Sequence, residues 1–313
     1  MKVEAGEARR EGRGRGLALV CGAGVIWGTI GPAVGVVHER SMLSVLTMSG
    51  WRALAALVTL AVVVLIRGQF AACVALVRAH PTRILGMGAL TTTFQLLFFV
   101  AVLAAGVSVA TVVALGSAPV LLLLLHSVQR RRVPGTAQLV TVSMGVAGLL
   151  LVSLIGVGTA GSAPTLGVLA ALGSGAAFAL SAEVGSSVSQ GHDAVPVATG
   201  TMAVAALIMV PAGVTVGLVR GDSLVATDAA TWAGLAYLGV VTMALAYVLL
   251  FAGLRTTASG SAAVATLLEP VTAVAIAVLL LGETLTLAGS VGSLLILAAI
   301  GSLGLRQEVP EVH

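Results

Sequence analysis

The stretch from Leu254 to Ser302 reads LRTTASGSAAVATLLEPVTAVAIAVLLLGETLTLAGSVGSLLILAAIGS. It covers one apolar segment, 259–281, and most of a second, 287–305, each long enough to cross the roughly 30 Å hydrocarbon core of a bilayer as an α-helix. Glu269 lies near the middle of the first segment and is followed by Pro270, which lacks the backbone N–H that a helix interior requires. The stretch therefore predicts two adjacent membrane helices, the first with a carboxyl group and a kink near its centre.

Part of this pattern occurs earlier in the chain. One constant offset of 151 residues aligns Ser108 with Ser259, Ala114 with Ala265, Pro119 with Pro270, Val120 with Val271, Gly22-Ala23-Gly24 with Gly173-Ser174-Gly175, and Trp27 with Phe178. A single offset shared by two distant stretches indicates an internal duplication, and the alternative is chance similarity within a low-complexity apolar chain.

The composition excludes a soluble globule. Of 313 residues, 58% are hydrophobic and only 9% are charged, which leaves too little polar surface to cover a water-soluble domain. Helices are expected, because lipid offers no partners to free backbone groups and the alternation typical of barrel strands is absent. The pI near 9.8 does not indicate nucleic-acid binding, since the basic residues lie at predicted helix ends and in the N-terminal segment.

The expected fold is all-α, with ten transmembrane helices arranged as two inverted five-helix repeats. Residues 1–16 form a charged, Gly-rich tail that we expect to be disordered and cytoplasmic, and residues 306–313 form a cytoplasmic C-terminal tail. The first repeat is expected to cover 17–156 and the second 166–305. The predicted spans are 17–37, 43–66, 84–104, 108–128, 137–156, 166–188, 196–219, 231–253, 259–281 and 287–305.

The distribution of Lys and Arg predicts the orientation in the cell membrane. With both termini inside, 13 basic residues lie on the cytoplasmic side and three, Arg40, Arg52 and Arg220, lie outside. Because each copy has an odd number of spans, five, the second copy enters the membrane from the side opposite to the first. Inverted repeats are typical of secondary transporters, because two similar halves can exchange conformations and expose a central site to each side in turn.

Several motifs of the second half carry a family resemblance. They are Ala258 to Ala263, Leu268-Glu269-Pro270-Val271, Gly282-Glu283-Thr284-Leu285, and Gly289 to Gly292 before Leu294-Leu295-Ile296-Leu297. With them the chain resembles the EamA family of the drug/metabolite transporter superfamily over almost its whole length. The resemblance implies a five-plus-five helix architecture and a small metabolite as cargo, such as an amino acid, a nucleobase or a drug-like solute. Such cargo is usually exported, and exchange for protons is one expected form of coupling. The first copy departs from the motif, with Ala118 in place of Glu269 and Arg132 in place of Glu283.

Three ionisable residues within spans are candidates for function, because charged groups are costly in lipid. Glu269 shares its helix face with small residues and is a candidate for substrate binding and for proton coupling, whereas the structural alternative is a neutral carboxyl bonded to a neighbouring helix. Glu183 is a second proton-coupling candidate, or a side chain that reaches water at the helix end. Arg52 is expected to anchor its helix at the interface or to contact a substrate anion, and the anchor is favoured.

Aromatic and amide side chains in the middle of spans predict the rest of the binding site. Trp27 and Phe178 are expected to face each other, and Trp27-Gly28 resembles the family's first-helix motif. Phe94, Phe98, Phe99, Tyr247 and Phe251 are candidates for lining a cavity, or are packing residues. Gln95 is the best neutral candidate for hydrogen-bonding a substrate. Two glycine pairs in the first span, Gly24/Gly28 and Gly31/Gly35, predict close helix contacts.

Other functions are weaker predictions. A passive facilitator of the same fold is the main alternative, and a membrane-embedded enzyme is a remote one, since His126 is the only imidazole in a span and the chain has no recognisable catalytic motif. The five histidines and two cysteines have no metal-ligand spacing, so no metal or other cofactor is expected. The expected partners are a small-molecule solute, the lipid bilayer and protons; the oligomeric state is left open.

Overall fold

The computed structural model describes residues 2–41, 43–153, 163–280 and 286–308, and nearly all of them are helical. The helices are α1 (Lys2–Gly28), α2 (Ile30–Arg40), α3 (Val45–Ile66), α4 (Phe70–Ala79), α5 (Pro81–Ala105), α6 (Val107–Arg130), α7 (Thr136–Ser153), α8 (Pro164–Ser189), α9 (Ala194–Arg220), α10 (Ala229–Gly239), α11 (Ala246–Leu254), α12 (Ser259–Ala265), α13 (Leu268–Leu280) and α14 (Leu287–Glu308). A π-helical segment, Val240–Leu245, joins α10 to α11.

Ten helices, counted over the described residues, are long and apolar enough to cross a membrane. They match the predicted spans to within a few residues, because each is a long apolar run bounded by charged residues, Gly or Pro. The prediction missed α4, a short helix in the connection between the second and third spans. Position 156, the Gly282-Glu283-Thr284-Leu285 motif and the tail beyond residue 308 lie outside the described residues.

The N-terminal segment, for which the sequence predicts a disordered tail, is helical in the structure. Residues 2–16 continue into the first span as the beginning of α1. The segment contains no proline, and its Glu, Lys, Arg and Ala residues are good helix formers, which offsets the cost of its glycines. Thr256 fixes this helix at one point, because its Oγ1 donates a hydrogen bond of 2.8 Å to the Gly12 carbonyl.

Three of the ten spans are interrupted near their middle. The first span breaks at Thr29, between α1 and α2, and the eighth passes through the π segment. The ninth breaks between α12 and α13, beginning at Thr266, which lies four residues before Pro270. Pro270 offers no N–H to the Thr266 carbonyl, which instead accepts from the Glu269 backbone N–H at 3.0 Å. The predicted kink is therefore present, and its physical cause is the missing backbone N–H of Pro270.

The two copies pack against each other in a symmetrical pattern. The first helix of each copy packs against the third and fourth helices of the other copy, and the second and fifth helices pair with their own counterparts. The glycines that the repeat aligns make equivalent contacts: a Cβ on Gly24 would lie 3.4 Å from the Ala265 carbonyl oxygen, and one on Gly175 would lie 2.4 Å from the Ala114 carbonyl oxygen. Equivalent glycines thus meet equivalent carbonyls, which supports the duplication.

Only one of the two glycine pairs predicted in the first span makes close helix contacts. At Gly28 a Cβ would lie 2.6 Å from the Glu269 carbonyl oxygen, so α1 touches α13 beside the Glu-Pro pair. At Gly31 and Gly35 a Cβ would meet nothing within 4 Å, and that part of the prediction was wrong. The chain breaks at Thr29, and the second glycine pair therefore lies on a separate helix, α2.

The eighth span begins with a well-defined cap. Asp228 accepts hydrogen bonds from the Thr231 backbone N–H at 2.9 Å and from its hydroxyl at 2.6 Å. These bonds favour the ionised carboxylate and lower the pKa of Asp228. Trp51 and Trp232 pack edge to face beside this cap, 4.9 Å between ring centroids, and each indole N–H donates to a backbone carbonyl of the preceding loop.

Candidate functional site

A cavity of about 130 Å³ lies between the two copies, near the middle of the spans that line it. The lining residues are Trp27, Ile30, Arg52, Phe94, Gln95, Phe98, Phe99, Leu115, Phe178, Thr242, Met243, Tyr247, Thr266 and Glu269. Both copies contribute, and the wall combines aromatic rings with a few polar and charged groups. This composition is typical of small-molecule sites.

The structure brings together most of the residues that the sequence singled out. Trp27, Gln95, Phe98, Tyr247 and Glu269 all line this central cavity. They come from four different spans, so no single helix could have shown their proximity.

The interruptions of the three broken spans also meet at the cavity. Ile30 follows the break in the first span, Thr242 and Met243 belong to the π segment, and Thr266 lies at the break between α12 and α13. Irregular backbone at membrane depth is tolerated where it lines a cavity, and broken helices mark binding sites in many transporters. The location of the breaks therefore supports this cavity as the functional site.

Thr242 connects the π segment to the first copy. Its backbone carbonyl accepts a hydrogen bond of 3.0 Å from the Trp27 indole N–H, and its hydroxyl lies 3.5 Å from Nη2 of Arg52. The hydroxyl itself donates to the Leu238 carbonyl at 2.6 Å. A π-helical turn displaces backbone groups from regular pairing, and here Trp27 binds one of them.

Arg52 is placed differently from the favoured expectation. Its side chain is buried, with 6% of the residue exposed, and it faces the cavity rather than the membrane surface. Its Nε is buried without a hydrogen-bond partner. An interfacial anchor would extend to water, so the position of Arg52 does not fit an anchor.

Glu269 lies in the first turn of α13, where the unpaired backbone N–H groups of a helix start favour a negative charge. Gly28 allows α1 to pack directly against this turn. Glu269 and Arg52 line the same cavity without forming an ion pair with each other. The cavity wall therefore holds one basic and one acidic side chain, both able to take another partner.

Aromatic rings form a connected wall between the two charged residues. Trp27 packs edge to face with Phe178 at 6.2 Å and with Tyr247 at 5.5 Å between centroids, and Phe94 lies 5.3 Å from Phe178. The predicted meeting of Trp27 and Phe178 is therefore present. Phe251 was also a candidate, but it is buried behind Tyr247 and does not line the cavity.

Gln95 adds an amide to the cavity wall. Its Nε2 is buried and has no hydrogen-bond partner within the protein. Buried donors without partners cost free energy, which a bound acceptor removes.

Packed side chains close the cavity toward the end that we expect to be cytoplasmic. Thr91 and Ser181 are hydrogen-bonded at 3.2 Å between α5 and α8. Phe251 and Met87 are fully buried, and a Cβ on Gly185 would lie 2.9 Å from the Phe251 ring and 3.5 Å from the Met87 methyl. These contacts form a packed layer of side chains on that side of the cavity.

Glu183 does not line the central cavity. It lies nearer the end of α8, where its Oε2 is 2.9 Å from Nε2 of His126 and accepts a hydrogen bond from the Ser259 hydroxyl. The side chains of His126 and Glu183 are 24% and 31% exposed, so solvent reaches this cluster. His126 belongs to the first copy, and Glu183 and Ser259 belong to the second. The cluster therefore joins the two copies below the cavity.

Sequence reasoning missed several residues of these two sites. Thr242, Thr266 and Met243 are ordinary residues for a membrane helix, and only the local backbone makes them part of the cavity. His126 was noted only as an isolated imidazole. Its separation from Glu183 by 57 positions gives no local signal that they form a pair.

Comparison with known proteins gives the family. The model of the EamA-like transporter family matches residues 14–154 and again 165–304. The chain belongs to the EamA-like transporter family. The crystal structure of another protein is similar to this chain, with a TM-score of 0.77 and 18% sequence identity over 95% of this chain and 100% of that one. This similarity shows the fold alone. No curated protein matches the sequence.

Membership in the EamA-like family confirms the resemblance read from the second half. The family model matches twice, which agrees with the two-copy architecture of ten helices. The family consists of transporters, which supports the expectation that the chain is a multi-pass membrane protein that handles a small solute and is not an enzyme.

Proposed function

We propose that this EamA-like protein is a secondary transporter that exports a small zwitterionic metabolite, with an amino acid of apolar side chain as the first candidate. The observation that carries the proposal is one cavity between the copies that holds Arg52, Glu269 and an aromatic wall. The cavity volume of about 130 Å³ suits a small solute rather than a peptide or a lipid.

The arrangement of charges indicates how such a solute would bind. The Arg52 guanidinium offers donors to a carboxylate, and the Glu269 carboxylate offers acceptors to an ammonium group. Gln95 supplies an amide, and Phe94, Phe98 and Phe178 contact the apolar part of the solute. A nucleobase would use the aromatic rings and Gln95 but would leave the two charges without partners, which is why the zwitterion is preferred.

Alternating access is the proposed mechanism. The cavity is closed by the Thr91–Ser181 pair and Phe251 on one side, and rocking of the two copies would have to separate this layer. The contact between His126 and Glu183 crosses from one copy to the other below the same layer. Its opening would accompany exposure of the cavity to the cytoplasm.

Two carboxyl groups are candidates for proton coupling. Glu269 is in the cavity, where a proton and the solute ammonium would compete for the same oxygens. Glu183 is outside the cavity, where protonation would change its hydrogen bond with His126 and the contact between the copies. The two positions predict different kinetics: Glu269→Gln changes solute affinity, whereas Glu183→Gln changes the turnover rate.

The decisive experiment uses purified protein in liposomes that are loaded with a mixture of amino acids and nucleobases. We expect the release of one or a few apolar amino acids above the level of protein-free liposomes, and a several-fold lower release with Arg52→Gln. Release of nucleobases alone would contradict the zwitterion proposal. A metabolite comparison between cells that overproduce the protein and cells that lack it identifies cargo outside this mixture.

An uncoupler distinguishes a proton-driven transporter from a passive facilitator. Accumulation of the solute against its gradient, abolished by a protonophore, is the expected result. If the protonophore does not change solute movement, and neither Glu269→Gln nor Glu183→Gln changes it, the proposal of proton coupling is wrong. If the solute never accumulates above its equilibrium concentration, the result would favour a passive facilitator.

A further inference from the structure

A second and larger cavity, of about 280 Å³, lies outside the central site, in a groove between α6, α7, α12 and α14. Arg130 and Arg132 lie at one end of this groove, and Pro119, Leu123, Val264 and Leu303 lie along its apolar part. Neither Asp nor Glu is among the lining residues. The groove therefore has a cationic end and an apolar part. Transport of a solute through the central cavity does not require this combination.

The turn that follows α6 brings the two arginines to the same groove. Arg131 between them adopts a left-handed backbone conformation, with φ of 49°, which residues other than glycine rarely adopt. The N–H groups of Arg131 and Arg132 donate to the Val128 and Ser127 carbonyls and hold this turn. As a result Arg130 and Arg132 line the groove and Arg131 does not.

The length of the groove fits one leaflet of a bilayer. Arg130 and Pro119 are eleven residues apart on one helix. At a helical rise of 1.5 Å this is roughly 16 Å, close to half of the roughly 30 Å hydrocarbon core. An acyl chain that extends from a headgroup beside Arg130 would reach Pro119 near the middle of the membrane.

We propose that this groove binds an anionic phospholipid, with its phosphate between Arg130 and Arg132 and one acyl chain along Leu123, Val264 and Leu303. The two guanidinium groups match the charge of the headgroup, and the apolar part distinguishes a lipid from a free phosphate ion. In the expected orientation the cationic end faces the cytoplasmic leaflet, whose anionic lipids bind basic pockets between membrane helices.

His126 places this lipid beside the contact between the copies. Its ring lines the groove, and its Nε2 faces Glu183 in the other copy. Arg130 also lies near enough to Glu183 to influence it electrostatically. A headgroup phosphate bound at Arg130 would therefore lie next to the contact between His126 and Glu183, at the edge of the proposed transport pathway.

The test uses the full-length protein in detergent, with lipid binding followed by native mass spectrometry. Phosphatidylglycerol and phosphatidylcholine of equal chain length are titrated against the wild type, the double variant Arg130→Gln/Arg132→Gln, and the matched control Arg131→Gln. Each groove arginine is expected to contribute about 5-fold to the affinity for phosphatidylglycerol, so that the double variant loses roughly 25-fold. Arg131→Gln should bind like the wild type, and all proteins should bind phosphatidylcholine weakly.

A fourth variant tests the apolar part without a change of charge. Leu303→Trp fills the groove and is expected to weaken phosphatidylglycerol binding at least 3-fold, while inorganic phosphate should compete poorly with lipid for every protein. Equal losses in the arginine double variant and in Arg131→Gln would overturn the proposal, because they would indicate general surface charge. Full competition by inorganic phosphate, or unchanged lipid binding in Leu303→Trp, would also overturn it.

Discussion

The fourth helix of each copy shows how related halves differ at the site. In the first copy α6 is one continuous helix, in which Ala118 precedes Pro119. In the second copy the corresponding span is divided into α12 and α13, and Glu269 precedes Pro270. Both helices make equivalent glycine contacts with the opposite copy. The packing framework is therefore shared, whereas the break and the carboxyl group belong to the second copy alone.

This difference shows that the duplication gave the two copies the same helix packing. The break and the carboxyl group at the cavity, in contrast, are present only in the second copy. A symmetrical pair of carboxyl groups facing one solute would repel each other in a small cavity of low dielectric constant. The first copy has Ala118 at the position aligned with Glu269, and the charged side chain that shares the cavity with Glu269 is the basic Arg52. The proposed zwitterionic cargo follows from that asymmetry.

The largest expected effect concerns the carboxyl group that only the second copy has. Glu269→Gln removes a charge-assisted contact with the solute, and such contacts contribute about 1.5–3 kcal/mol, so transport should fall roughly 10- to 100-fold. Solute release from liposomes measures the effect. Ala118→Ser, at the aligned position, should change transport less than 2-fold, about 0.4 kcal/mol or less. Equal effects at the two positions would break the comparison between the copies.

The next effect concerns the two prolines. Pro270→Ala gives the Thr266 carbonyl a backbone donor and should straighten the junction of α12 and α13. We expect a higher Tm, because a helical hydrogen bond is gained. We also expect a several-fold lower transport rate, because among the described residues the ninth span is the one broken at a proline. Pro119→Ala, inside the continuous α6, should leave transport nearly unchanged. A lower Tm in Pro270→Ala would contradict this account of the break.

A smaller effect is expected at the aligned glycines. A Cβ at Gly175 would lie 2.4 Å from the Ala114 carbonyl oxygen, whereas the nearest atom to one at Gly24 is 3.3 Å away. Gly175→Ala should therefore destabilise the protein by about 1–3 kcal/mol through overpacking, and Gly24→Ala by less than about 1 kcal/mol. Thermal unfolding of the purified protein gives the order. Gly31→Ala, where a Cβ meets nothing within 4 Å, is the neutral control.

The smallest effect concerns the first residues of the third span in each copy, where α5 and α10 begin. α10 is capped by Asp228, whereas the start of α5 has no side-chain cap. The pKa of Asp228 is lower in the folded protein because of its bonds to Thr231, so its contribution to stability is present above the ordinary Asp pKa of about 3.9 and is lost as the pH falls below it. Asp228→Ala should lower the Tm slightly at pH 7 and by less at about pH 3, where part of the carboxylate has been protonated. The same drop at both pH values would exclude the carboxylate as the cause.

Much of this arrangement was predictable from sequence, for identifiable reasons. The spans follow from uninterrupted apolar runs, because the thickness of the bilayer fixes how long each helix must be. Trp27, Gln95, Tyr247 and Glu269 were identifiable as cavity residues because large aromatic and polar side chains are rare in the middle of such spans. The break at Pro270 follows from the missing N–H of that residue.

The pairing of His126 with Glu183, the burial of Arg52 and the π segment at Thr242 were not predictable in the same way. Each depends on the rotation of a helix about its axis and on which neighbour it packs against, and a low-complexity apolar sequence encodes these only through the summed contacts of many small residues. The groove beside Arg130 and Arg132 likewise needs four helices and a left-handed turn to exist.

The sequence by itself determined that the chain is a twofold-repeated membrane helix bundle, because hydrophobicity, span length and a constant repeat offset are local or periodic properties. Only the tertiary structure decided that three interrupted helices meet at one cavity and that Arg52 and Glu269 both face it. The reason is physical: the lipid dictates where helices begin and end, whereas contacts between helices dictate which side chains face one another.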